Sequence, residues 1–482
     1  MNSFGQHLSK RREFLKRLGC GFPSVALAAM CAEQAIAANN TINPLAPKTP
    51  HFKPRAKRVI FLWMQGGPAQ MDLFDFKPRL KKESGQKIPF SLSTDQDRFQ
   101  SSAKLLAPTS RFEQRGQSGA WVSDLLPHLA AKADELCFLR GMQSDSSAHP
   151  NAIRQMQTGS VQFVRPSMGC WILYGLGTEN KSLPGFVVIS PVLYGDDGSP
   201  LHYNNAFLPS IYQGMKIGNS RIPVKESKVD YLGDPDISDN LQRQELDFVQ
   251  MRNQRFADGL GGDQNMEGLI QSHELAFRMQ MQAPAVFDIS KESKATQELY
   301  GIGDPASDNY GRKCLMARRM IEGGVRFVQV TDGGWDHHAK IRSLLGKSCN
   351  SVDKPIAGLL TDLKARGLLE DTLVVWTGEF GRTPYDQDQL NGKGTAEDLG
   401  RDHNHYCWTM WMAGAGVKHG ITYGETDEYS WQAIDGKVHV NDLHATMLHI
   451  LGLNHEKLTY RYSGRDFRLT DVAGTVVKEI LS

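Results

Sequence analysis

Carboxylates and imidazoles follow or precede four separate apolar runs of this sequence, and residues of these types gathered at strand ends could hold a metal ion. Asp72 and Asp75 follow the run Arg58–Met64, in Gly-Gly-Pro-Ala-Gln-Met-Asp-Leu-Phe-Asp. Thr331-Asp332-Gly333-Gly334-Trp335-Asp336-His337-His338 follows Val325–Val330. Gly378-Glu379-Phe380-Gly381-Arg382-Thr383-Pro384 follows Thr372–Thr377, and Gly400-Arg401-Asp402-His403-Asn404-His405 precedes Cys407–Met412. Mixed oxygen and nitrogen donors suit zinc, manganese or iron, while carboxylate-rich sets favour manganese, magnesium or calcium. Asp336 and His338 have one residue between them, so on an extended segment both point the same way, whereas His337 and His338 diverge. The planar fork of Arg382 is suited to a two-point grip on sulfate, phosphate or carboxylate.

The elements that must position these groups are legible as apolar runs. Arg58–Met64, stopped by Gly66-Gly67-Pro68, has the composition of a central strand buried on both faces. Residues 185–190, 325–330, 372–377 and 407–412 repeat that pattern, and helical periodicity separates them over 124–133, 310–322 and 352–367. Strands alternating with helices predict an α/β fold, doubly wound around a mostly parallel sheet with helices on both faces. In such a sheet, ligands bind beyond the carboxyl ends of the strands. Residues 225–300 are rich in Gln, Glu, Met and Arg and predict a helical insertion with solvated charged faces.

The first 37 residues read as an export signal. Arg11-Arg12-Glu13-Phe14-Leu15-Lys16 resembles the twin-arginine signature, an apolar run spans Leu18–Met30, and Ala35-Ile36-Ala37 suits a signal peptidase. That run is shorter than the roughly 20 residues a membrane helix needs, and neither Cys20 nor Cys31 has a good lipidation sequence before it. The expectation is a periplasmic or secreted protein, handled by the twin-arginine export machinery, with no stable membrane insertion after signal removal. Residues 38–56 read as a linker, and 57–482 as the folded domain. Of seven cysteines, five lie beyond the signal and none forms a C-x-x-C pair, which argues against a disulfide framework or a thiolate zinc site. A net charge of +2 gives no footprint for nucleic acid.

Several of these segments together resemble a known family. Asn441–Leu453, followed by Gly464-Arg465-Asp466, resembles a sulfatase C-terminal pattern. Thr372–Gly381 resembles the strand that delivers a metal-binding pair in sulfatases and alkaline phosphatases. The whole set resembles a large secreted bacterial domain family of unassigned function, placed beside sulfatases in the alkaline phosphatase superfamily. Its marks run from about Arg58 to the C-terminus: Gly66-Gly67-Pro68 with Asp72 and Asp75, Gly334-Trp335-Asp336 with His338, Gly378–Pro384, Gly400–His403 and Asp442–Thr446.

The resemblance implies an alkaline-phosphatase-like fold and a divalent metal (zinc, manganese, calcium or magnesium) held by Asp72, Asp336, His338, Glu379 and His403. Gln65 stands where the superfamily has an Asp directly after its first strand, so Asp72 or Asp75 must substitute. In the nucleophile slot, Ala148-His149-Pro150-Asn151-Ala152 leading to Thr158-Gly159, the residue is His149. A histidine can serve as a nucleophile toward phosphorus, a general base or a further metal ligand, but cannot become formylglycine. Ser146 and Ser147 are the alternative nucleophiles, His444 and His449 read as core or supporting residues, and Asp442 reads as a helix N-cap. The implied activity is hydrolysis of an anionic ester, on a small molecule or a polysaccharide, with His149 and Arg382 as catalytic residues. The alternative is a non-catalytic binding protein for sulfated or phosphorylated polysaccharide.

Overall fold

The computed structural model describes residues 43–91, 103–192, 200–227, 238–259, 264–387, 395 and 397–482. The expected signal (1–37) and the start of the expected linker lie outside the described residues. The principal strands in chain order are β1 (Arg58–Met64), β2 (Leu136–Gln143), β3 (Phe186–Ile189), β4 (Met215–Ile217), β5 (Phe327–Asp332), β6 (Thr372–Thr377), β7 (Gly381–Asp386), β8 (Arg401–Asn404), β9 (Trp408–Gly414), β10 (Ile421–Tyr423) and β11 (Val438–His439). A nine-stranded sheet has the order β10-β2-β9-β6-β1-β5-β3-β4, with β11 also paired to β2, while β7 and β8 form a separate antiparallel ribbon. β1 lies at the centre, parallel to β5 (Met64 beside Asp332) and to β6 (Trp63 beside Thr377). Only β9 runs against its neighbours, so β1, β2, β5 and β6 all point their carboxyl ends at one edge.

The longer helices are α1 (His149–Thr158), α2 (Met168–Leu176), α3 (Asp239–Gly259), α4 (Gln264–Phe287), α5 (Asp308–Glu322), α6 (Ile341–Ala365) and α7 (Val440–Ile450). Side chains of a strand alternate between faces, and β1 divides its burial accordingly. Ile60, Leu62 and Met64 join a core with Leu315 and Ile321 of α5 and Leu345 and Leu359 of α6. Val59, Phe61 and Trp63 join the opposite core with Trp171 and Ile172 of α2 and Leu443 and Leu448 of α7. Both faces are therefore covered, which is why the central strands read as continuous apolar runs. The fold is the expected α/β architecture, doubly wound around a mostly parallel sheet.

Some local expectations differ from the structure. The helix expected over 124–133 is one turn, Pro127–Ala130, followed by a 3-10 turn at Ala133–Glu135. β2 escapes notice in the sequence because Arg140 and Gly141 interrupt its apolar run. Gly141 is needed there, since a Cβ would lie 2.6 Å from the carbonyl oxygen of Gly436. The N-cap of α7 is His439, not Asp442; Asp442 completes a capping box by accepting from the His439 amide at 2.9 Å. Cys137, Cys170, Cys314, Cys349 and Cys407 are all buried and free. Among the described residues no helix is long and apolar enough to cross a membrane.

Candidate metal centre

Four side chains converge at the carboxyl edge of the sheet. His149 opens α1 just beyond β2, Asp336 and His338 follow β5, and His403 lies on β8, where it pairs with Arg382 of β7. One ligand atom from each of these four residues lies within 4.8 Å of all the others. Asp336 is the hub. Its Oδ1 lies 2.8 Å from His338 Nε2 and 3.2 Å from His403 Nε2, and its Oδ2 lies 3.2 Å from His149 Nε2. Two glycines permit this crowding. Gly66, at φ +123°, has no room for a Cβ, which would sit 2.5 Å from the Asp336 nitrogen, and at Gly400 a Cβ would lie 2.1 Å from the carbonyl carbon of His338.

The far side of each imidazole is already engaged. His149 Nδ1 donates to Glu379 Oε1 at 2.7 Å, and His403 Nδ1 donates to the Ser147 carbonyl at 2.7 Å. His338 Nδ1 is hydrogen-bonded to Gln387 Oε1. A neutral imidazole that donates from Nδ1 carries a lone pair on Nε2. Three such lone pairs and a carboxylate, all acceptors, then face one another, and they repel unless a cation lies among them. Metal-binding histidines are commonly oriented in this manner by a carboxylate or carbonyl behind them. The residues present thus fit a divalent metal.

In the metal-free protein a proton supplies that positive charge. Burial works against charging His149, but hydrogen bonds to Asp336 and Glu379 prevail and raise its pKa from 6.5 to about 9. Burial likewise works against ionising Asp336, yet its three histidine contacts and the Arg382 charge hold the carboxyl far below the usual range. His403 is lowered, chiefly by burial, against the pull of Asp336. A histidine raised on folding contributes stability that is full below its unfolded pKa and is lost as pH rises through the folded value. Metal-free protein is therefore expected to lose on the order of 3 kcal/mol between pH 6.5 and about 9. Denaturant unfolding across that interval should show the slope, and His149→Gln should flatten it; an equal slope in the variant would refute the assignment.

Glu379 supports the cluster from behind: fully buried, it accepts the Gly66 amide on both oxygens, at 2.9 and 3.1 Å, as well as His149. It lies outside the four-donor set, against the expectation that it binds metal directly. Glu379→Gln should keep the Gly66 contact and lower metal affinity about 10–100-fold, the cost typical of losing an outer partner. A competitive chelator titration measures this, and unchanged affinity would remove Glu379 from the site.

Asp72 and Arg382 correct the sequence reading more strongly. Both oxygens of Asp72 face Arg401, at 2.7 and 3.2 Å, with neither side chain exposed, so Asp72 is a structural partner rather than a metal ligand. Asp75 is equally removed, accepting from Thr426 and Ser430 hydroxyls. Arg382 is fully buried and donates to the carbonyls of Gly67 and Arg401, at 2.9 and 3.0 Å, to that of Gly66, and to Asp336. Fully buried and held by these acceptors, it orients Asp336 rather than facing a substrate anion. Ser147 contributes its carbonyl, and the Ser146 hydroxyl accepts the Ala148 amide at 3.1 Å. His444 is a core residue bonded to the Met156 carbonyl at 2.8 Å, and His449 packs on Phe52. Gln387 went unnoticed because nothing in its local sequence distinguishes it from other loop amides.

Residues 56–481 match the model of a family described as "Protein of unknown function (DUF1501)". The chain belongs to this family. A search of curated proteins finds no match. Among solved structures, this family member resembles the lipoteichoic acid synthase LtaP from Listeria monocytogenes, at 10% identity over 88% of this chain and 78% of that one, with a TM-score of 0.35. It also resembles the PsFucS1 sulfatase from Pseudoalteromonas sp., at 13% identity over 83% and 68% of the two chains, with a TM-score of 0.35. The C-terminal periplasmic domain of EcEptC from Escherichia coli, in complex with Zn, matches at 11% identity over 86% and 88%, again with a TM-score of 0.35. At these identities and scores the likenesses assign no activity to the present family member.

Proposed function

We propose that this chain is an exported, metal-dependent hydrolase of an anionic ester, a phosphate or a sulfate, centred on His149, Asp336, His338 and His403. The reading rests on one observation: every Nδ1 of the three imidazoles is engaged from behind, leaving three Nε2 atoms and a carboxylate turned toward each other. Three nitrogens and one oxygen favour zinc, with manganese or iron next, over calcium and magnesium, which take mainly oxygen ligands. Such an ion, when bound, polarises an ester oxygen and lowers the pKa of water. The chain's own part is positioning. Glu379, Ser147 and Gln387 fix the rings, Arg382 fixes Asp336, and solvent reaches the donors, whose side chains are between 12% (His149) and 35% (His338) exposed.

A non-catalytic binding protein for sulfated or phosphorylated polysaccharide is the second reading, and a specific observation favours it. Four protein donors would fill the four positions that zinc usually takes, whereas catalytic zinc sites keep one position open. Position 149 also carries neither hydroxyl nor thiol. Elemental analysis of purified protein, coupled to a panel of phosphate monoester, phosphate diester and sulfate ester substrates, separates the two. The hydrolase reading expects bound metal and turnover abolished by chelation and by His149→Ala. Bound metal with no turnover on any ester sinks it in favour of the binding reading, and protein without metal sinks both.

A further inference from the structure

Helices α3 and α4 form an antiparallel pair in which α3 is the outer member. α4 faces the body, its Gly268 lying against Pro209, with an ideal Cβ 3.4 Å from the proline ring. α3 is fastened to α4 by Arg243 to Glu274, at 2.8 Å, and by Gln250 to the Ile270 carbonyl, at 2.7 Å. Among the described residues, the opposite face of α3 exposes apolar side chains interleaved with Glu245 and Arg252: Leu241 is 47% exposed, Phe248 57%, Val249 41%, Met251 42% and Phe256 59%. Large apolar side chains exposed together on one helix face mark an interaction surface.

The order of residues along that face indicates what covers it. At about 100° per residue, Leu241, Glu245, Phe248, Arg252 and Phe256 fall in one stripe. The stripe is self-complementary about a point between Phe248 and Val249. Leu241 and Phe256 are equidistant from that point, and so are Glu245 and Arg252. A two-fold interface requires that if residue i meets residue j, then j also meets i. Laid antiparallel on its own copy, α3 sets Phe248 against Val249 at the axis and an acid against a base on either side, with Leu241 against Phe256 at the ends.

We propose that this face is the interface of a homodimer, α3 packing antiparallel on α3 of a second copy. Sedimentation of the full chain over a range of concentrations tests it, with circular dichroism confirming that each variant is folded. Wild type is expected to dimerise and Phe248→Glu to be monomeric. Glu245→Arg alone and Arg252→Glu alone each place like charges opposite one another twice per dimer, and each should raise the dissociation constant about tenfold or more. The double reversal Glu245→Arg/Arg252→Glu should restore it, which a merely apolar or differently registered contact would not do. A wild type that stays monomeric overturns the proposal, as does a dimer indifferent to Phe248→Glu. Phe248-dependent binding of a monomer to phospholipid vesicles would also overturn it, assigning the face to a membrane.

Discussion

Asp336→Asn is expected to yield folded protein that has lost its bound metal. Asp336 contacts all three imidazoles, and its charge balances both the site and the buried guanidinium of Arg382. An asparagine keeps an oxygen to accept from Arg382, so the β7–β8 ribbon retains its anchor while the charged ligand is gone. The loss of affinity should exceed the 10–100-fold typical of an outer partner, taking metal content from near stoichiometric to a small fraction. Elemental analysis after exhaustive dialysis, with a thermal melt alongside, provides the measurement. Full metal content in a folded Asp336→Asn protein would mean that the ion is held elsewhere.

The mirror-image result is expected at Asp72. Asp72→Ala removes both oxygens that face Arg401 and leaves that guanidinium buried with, among the described residues, the carbonyls of Thr383, Leu106 and Ala107 as partners. Breaking a buried ion pair on one side costs about 3–5 kcal/mol, because an uncompensated charge remains inside. The Thr109 amide, 2.7 Å from Asp72, loses its acceptor as well. Denaturant unfolding should show this loss, while the protein that remains folded keeps its metal. If Asp72→Ala instead strips the metal from a chain as stable as wild type, Asp72 is a ligand and the four-donor set is wrong.

Together these variants separate two roles that look alike in the sequence. Asp72 and Asp336 both follow glycines at the ends of buried strands, and nothing in their local patterns distinguishes a salt-bridge partner from the hub of the candidate metal centre. The difference arises from what the fold brings to each. β8 carries Arg401 and His403, two residues apart, and Arg401 reaches Asp72 while His403 reaches Asp336. The same ribbon turns Arg382 inward, onto backbone carbonyls, where a sequence reading expected it to face a substrate.

By itself the sequence determined five strands of the nine-stranded sheet, its centre among them. Buried parallel strands must be apolar throughout, so Arg58–Met64 and Thr372–Thr377 are readable to the residue, and the carboxyl edge at which chemistry collects follows from the parallel order. The sequence also contained all four converging residues: Asp336, His338 and His403 stand beside strand ends or glycine turns, and His149 fills the slot that the family resemblance gives to the nucleophile. Only the tertiary structure decided which of the acids and arginines at that edge face each other. Those contacts join segments as far apart as positions 72 and 401 or 149 and 379, and their selection depends on burial, which leaves no charge without a partner. Tertiary structure likewise showed each imidazole engaged on its far nitrogen, the geometry by which four polar residues at one edge fit a cation.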